Sequence, residues 1–322
     1  MEVAAASGTT MTSTKAAAGH HISARSGAGT VHSRASRAIV DFLPDPATGH
    51  ASGPLRVLHV TVVPPIVGTT VTDVQYADSL IDQNRLLGEL VAGADPAHAV
   101  PTCPGWDLHK LLAHVGRGDR WGAMIVRERA QDRVDMRAVP DGKPPADASG
   151  AVVWITESAR LLVDAVAGTG ADVPVWTFLG PKPAVWWIRR RLHESVVHRA
   201  DVALALGVPF VVEPEVAADG VSEWLDMLVT RLAGDGRALP AGVTLHLHAT
   251  DDGLGVDGEW MVRGGESGIT WEHGHGKGDA AVRGSAADLL LAMTRRIDAD
   301  APGLQVLGDE SVWATWLEHT PF

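Results

Sequence analysis

The chain has 322 residues, 45% of them apolar, with a formal net charge of −12 and one cysteine, Cys103. That length carries one large domain or two ordinary ones around a real core, and the acidic balance argues against a nucleic-acid or anionic-membrane partner. A single cysteine excludes an intrachain disulfide and makes a reducing cytoplasm the simplest compartment.

Residues 1–71 differ from the rest of the chain. The stretch "MEVAAASGTTMTSTKAAAGHHISARSGAGT" is small, polar and aperiodic, so disorder is its default state. It reads as a disordered or spurious extension, such as an upstream start-codon error. It has no apolar h-region of a signal peptide. No apolar run along the chain reaches the ~18 residues of a membrane helix.

Folded sequence begins near "DVQYADSLIDQNRLLGELVAG", where Tyr76, Leu80, Leu87 and Val91 make a helical stripe. In "PTCPGWDLHKLLAHVGRGDRW", Pro101, Pro104 and Gly105 predict a turn and Asp107 a helix N-terminus. Leu108, Leu111, Leu112 and Val115 continue it as one face of a helix. "GAVVWITESARLLVDAVAG", "VWWIRRRLHESVVHRADVALALG" and "EPEVAADGVSEWLDMLVTRLAG" predict three more helices, with Gly207 and Pro209 stopping the second of them. Beyond them "VTLHLHA", "EWMVR", "GITWEH" and "DAAVR" read as strands between glycine-rich turns. "GSAADLLLAMTRRI" is a helix capped by Ser285 with Asp288 three residues on, and "DESVWATWLEH" closes the chain as a helix. The expected architecture is a helical bundle over 72–234 followed by a small α+β domain over 240–322.

The chemistry concentrates in "RRLHESVVHRAD", residues 190–201. At ~100° per residue, His193 and His198 diverge by ~140°, which excludes the zincin pattern of two histidines four apart. Glu194, His198 and Asp201 share one face, with Leu192, Val196 and Ala203 roughly opposite. A metal site and a plain helix pair are both compatible with that spacing. A metal needs further ligands, and His114, flanking the apolar stripe of its helix, is the best placed; a hydrogen-bonded core-edge histidine is the alternative. His109 is expected to be exposed, Cys103 to be no nucleophile, and Trp106 to pack its turn. His246 and His248, and likewise His273 and His275, alternate onto one strand face each. That pattern reads as a polar outer face rather than a second metal site.

Taken in order, "VPTCPGWDLHKLLAHVG", "RRRLHESVVHRADVALALG" and "VAADGVSEWLDML" resemble the mycothiol-dependent maleylpyruvate isomerase family of actinobacteria. The tail "VTLHLHATDD…GEWMVR…GHGKGDAAVRGSAADLLLAMTRR…LGDESVWATWL" resembles the same family's C-terminal domain. The resemblance covers about 72–322. It implies a DinB-like four-helix bundle followed by a sterol-carrier-like α+β domain. It also implies a divalent metal, usually zinc, held by His114, Glu194 and His198, with an open position for the sulfur of mycothiol. Metal ligation would make that thiol nucleophilic near neutral pH for addition to a small electrophile, in an isomerase or an S-transferase reaction. Asp201 is expected to orient a ligand or handle a proton. An arginine of the C-terminal domain is expected to meet an acidic substrate, Arg296 before Arg295, Arg263 and Arg283. Two other readings stay open: a non-catalytic metal-, thiol- or ligand-binding stress module, and a metal-dependent hydrolase.

Overall fold

A computed structural model describes residues 73–233 and 238–320; the reading of residues 1–71 lies outside them. Four long helices, α1 (Asp73–Ala92), α2 (Leu108–Arg127), α3 (Ala148–Thr169) and α4 (Trp186–Leu206), pack as a bundle. The caps form as the sequence predicts. Asp107 accepts from the Lys110 amide at 2.8 Å, and Gly207 ends α4 in the left-handed conformation with φ 65°. A minimal ladder, β1 (Pro174–Val175) with β2 (Lys182–Pro183), lies between α3 and α4. Two-residue strands leave no periodic signal, and the sequence holds no hint of them.

Close approach of α2 and α3 depends on Gly116. A Cβ there would overlap the indole of Trp154, whose Nε1 is anchored to the Asp141 carbonyl at 2.8 Å. Gly116→Ala is therefore expected to destabilise the protein by about 1–3 kcal/mol through overpacking, read as a lower denaturant midpoint at unchanged slope.

A fifth helix, α5 (Pro214–Arg231), leads into the α+β part. That part consists of β3 (Thr244–Ala249), β4 (Glu259–Gly265), β5 (Gly268–His273), β6 (Ala280–Gly284), α6 (Ala286–Met293), β7 (Gln305–Gly308) and α7 (Glu310–His319). The sheet order is β5-β4-β3-β6-β7, with β3 and β6 parallel and the other pairs antiparallel. Leu245, Leu247, Trp260, Val262, Ala280 and Val282 share one face and are fully buried. His246, His248, Glu259 and Met261 occupy the opposite face. Trp260 donates to the Ser222 hydroxyl at 2.9 Å and Trp271 to Asp226 at 3.2 Å, which ties α5 to the sheet. This packing leads us to propose that the two domains divide in the 207–213 connection rather than at 234–240.

With α5 on one side and the other three bundle helices on the other, α4 is buried almost all round. Arg190, Arg191, His193, His198, Arg199 and Asp201 all lie in the interior. Buried charge on that scale needs partners, and they define the site.

Candidate metal centre

His114 on α2 and Glu194 and His198 on α4 converge. His114 Nε2 lies 3.0 Å from Glu194 Oε1, and His198 Nε2 lies 3.7 Å from the same oxygen. The three donor atoms all fall within 4.8 Å of one another. His193 turns away, as the 3.6-residue period requires, and meets Asp219 of α5 at 2.6 Å. His109 is exposed, as expected.

Each ligand candidate is held from behind. The second oxygen of Glu194 accepts from Arg190 at 2.8 Å, and Arg191 stands 3.5 Å from the first. Burial alone would raise the Glu194 carboxyl, but Arg191 and Arg190 hold it well below the usual range. The arginines are fixed in turn, Arg190 by Glu223 at 2.5 Å and Arg191 by Asp119 at 2.7 Å. Asn84 donates to Asp119 at 2.6 Å and accepts from Ser195 at 2.6 Å, which extends the buried network to α1.

His198 donates from Nδ1 to Asp201 at 2.9 Å, so Asp201 fixes the tautomer whose Nε2 faces His114 and Glu194. This is the usual support of a metal-binding imidazole. Burial would lower the His198 pKa, but Asp201, Cys103 and Glu194 push it up to about 10. Ligation there has to displace a proton. Burial lowers His114 instead, leaving a neutral imidazole at neutral pH.

Two features escape the sequence reading. The turn containing Gly105, at φ 82°, folds Cys103 and Trp106 onto the site. Cys103 Sγ donates to Asp201 at 3.3 Å, and Cys103, His198 and Asp201 themselves form a compact donor group. The Trp106 ring centroid is 4.8 Å from that of His114 and 6.0 Å from that of His198, so this indole walls the site as well as packing its turn. The Cys103 contact has no local signature, because 98 residues separate it from Asp201.

Arg296 arrives from the other domain. Its Nε and Nη2 pair with both oxygens of Asp201, at 3.0 and 3.1 Å, and Nη1 donates to the Thr294 carbonyl at 2.6 Å. The end of α6 aims it: Arg295 takes a left-handed conformation at φ 65°, and the Arg296 amide bonds back to Leu291 O at 2.7 Å. Of the rival arginines, Arg295 donates to Thr320 O, Arg263 pairs with Glu272 on the surface, and Arg283 is exposed.

Residues 77–203 match the model of the mycothiol maleylpyruvate isomerase N-terminal domain, and residues 215–315 match that of the same family's C-terminal domain. The chain belongs to the mycothiol-dependent maleylpyruvate isomerase family. Its fold, a helical N-terminal domain followed by an α+β C-terminal domain, agrees with that membership. Among solved structures it is similar to a mycothiol-dependent maleylpyruvate isomerase at 15% identity and a TM-score of 0.49, over 73% of this chain and 92% of the other. A histidine-to-alanine mutant of such an isomerase aligns over the same shares at 15% identity and a TM-score of 0.46. No curated relative matches the chain.

Proposed function

We propose that this protein is a metal-dependent enzyme that activates mycothiol, a low-molecular-weight thiol, for addition to a small electrophile. The observation that carries the reading is the convergence of His114 Nε2, Glu194 Oε1 and His198 Nε2 on one point in a member of this family. Two imidazoles and a carboxylate suit zinc and leave a fourth position open, the layout of a catalytic rather than a structural site. The donor set fits such an ion: His198 is oriented from behind by Asp201 and Glu194 by Arg190. A bound divalent ion would lower the pKa of a coordinating thiol from about 8.5, making it nucleophilic near neutral pH.

The chain's own residues account for the rest. His114, Glu194 and His198 hold the ion, Asp201 keeps His198 in its productive tautomer, and Trp106 shields the imidazoles from water. In an isomerisation, the thiolate forms a C–S bond at one end of a cis double bond conjugated to a carbonyl, and the π pair moves onto the carbonyl oxygen as an enolate, whose return later expels the thiolate. Rotation comes next, and the C–S bond breaks to return the thiol and the trans alkene. In a transferase the C–S bond persists. Isomerisation, with maleylpyruvate or a related acid as substrate, is the reading that the family supports. The cytoplasm, where a thiol stays reduced, is the fitting compartment, and no helix among the described residues is long and apolar enough to cross a membrane. Arg296 is proposed as a positioning residue that holds Asp201, because its guanidinium spans both Asp201 oxygens.

Calorimetric titration of mycothiol tests the reading. Zinc-loaded protein is expected to bind one thiol per chain, and chelator-stripped protein none. Equal thiol binding with and without zinc would remove the metal from the mechanism.

A further inference from the structure

The second concentration of metal-capable groups lies in the other domain. His246 and His248 project from the face of β3 away from the helices, and Glu259, the register partner of His248 on β4, joins them. The sequence pattern reads this face as plain polar surface, with His273 and His275 paired on one strand face. The structure separates that pair. β5 ends at His273, which pairs with Trp260 and so lies on the core side. Gly274, at φ 154°, then turns the chain so that His275 reaches the outer face.

The result is a ring of three imidazoles around one carboxylate oxygen. Glu259 Oε2 lies 2.7 Å from His246 Nε2, 2.8 Å from His275 Nδ1 and 3.2 Å from His248 Nδ1. His275 Nδ1 also reaches Oε1 at 3.1 Å, so both oxygens of Glu259 face the imidazole cluster. The ligand atoms of all four residues lie within 4.8 Å of one another. A tetrahedral ion at about 2.0–2.2 Å from each would need them about 3.3–3.6 Å apart. An ion there would open the Glu259 pairs, now 2.7–3.2 Å, and draw the wider pairs together.

The backbone is shaped to bring His275 there. A Cβ on Gly278 would meet the His246 amide nitrogen at 3.0 Å, and one on Gly276 would meet Met261 Sδ at 3.2 Å. The run Gly274–Gly278 thus lies flat across β3 and β4, and His246 is only 4% exposed although it faces away from the helices. The nearby cations Lys277 and Arg283 are exposed.

We propose that His246, His248, Glu259 and His275 form a second transition-metal site, of the three-imidazole, one-carboxylate type that takes Zn(II). With four protein ligands the shell is closed, so the ion's role is structural: it pins the 274–278 loop to the sheet.

Zinc content of the desalted full-length protein tests this independently of the bundle centre. The variants are Glu194→Ala and the double substitution His248→Ala/His275→Ala, which changes only partly exposed side chains. Two ions in the wild type and one in each variant is the expected result. One ion in the wild type that survives Glu194→Ala but not the double substitution upholds this site and removes the bundle metal. Zinc equal in the wild type and the double variant, at any stoichiometry, overturns the proposal. Co(II) loaded into Glu194→Ala should give the intense visible bands of a four-coordinate ion, lost on adding His248→Ala/His275→Ala. Bands unchanged by that addition would overturn it too. Trypsin supplies a readout of the pinning: cleavage after exposed Lys277 should slow at least tenfold when zinc is added to wild type, and stay unchanged in the double variant. Equal slowing in both would overturn the assignment.

Discussion

Glu194→Gln is expected to lose the bundle metal, and thiol-dependent turnover with it, while costing only about 1–3 kcal/mol of stability. The two effects separate because of how the surrounding charges are tied. Glu194 accepts from Arg190 and lies near Arg191, both almost fully buried. Removing a charge from such a group can cost 3–5 kcal/mol when it strands a buried partner. Neither arginine is stranded here: Arg190 keeps Glu223 at 2.5 Å, and Arg191 keeps Asp119 at 2.7 Å. The amide of glutamine still accepts from Arg190 through its carbonyl. What it cannot supply is an anionic ligand between His114 and His198. Metal analysis alongside a denaturant melt reads both effects. A variant that keeps its zinc at full occupancy would show that Glu194 is a structural counter-ion and no ligand. A variant that is mostly unfolded would show that the buried network tolerates far less than its remaining pairs imply.

Much of the fold was legible because it is written in local periods and caps. The stripes of α1 and α2, the Asp107 cap, the Gly207 stop and the Ser285 cap depend on residues within a few positions of one another. Ser285 indeed accepts from the Asp288 amide at 3.0 Å. The pairing of Glu194 with His198 comes from the same arithmetic, as does the divergence of His193. The groups around these residues were not legible. Asp201 meets Arg296 across 95 residues, and Arg191 meets Asp119 across 72. Such partnerships are decided by packing between helices and between domains, which no window on the sequence contains. The histidines of the sheet show the same limit. Alternation placed His246 and His248 together, but extending it past His273 failed, because the left-handed Gly274 breaks the strand and delivers His275 to the opposite face.

The second large effect is expected at the contact between the domains. Asp201 is fully buried and Arg296 nearly so, and two charge-assisted hydrogen bonds join them. Arg296→Ala leaves a buried carboxylate with only His198 and Cys103 to satisfy it, so a loss of about 3–5 kcal/mol is expected. For a chain of this size that is a melting point lower by roughly 10 °C. Burial would raise the Asp201 pKa, but His198 and Arg296 hold it at about 2, against an ordinary value near 3.9. A carboxyl depressed in the folded state stabilises it fully above about pH 4, and that stabilisation is lost as pH falls through about 2. Arg296→Ala should therefore differ most from wild type at neutral pH, with the two stabilities converging under acid. Zinc affinity is expected to fall 10–100-fold in the same variant, because Asp201 no longer holds His198 in place. These readouts separate a positioning arginine from one reserved for an acidic substrate. In the latter case the variant would keep its melting point and its zinc, and only the KM for the anionic substrate would rise. The bidentate geometry predicts the first pattern: a guanidinium spanning both oxygens of a buried aspartate is already committed to holding His198, and through it the metal site, in register with the second domain.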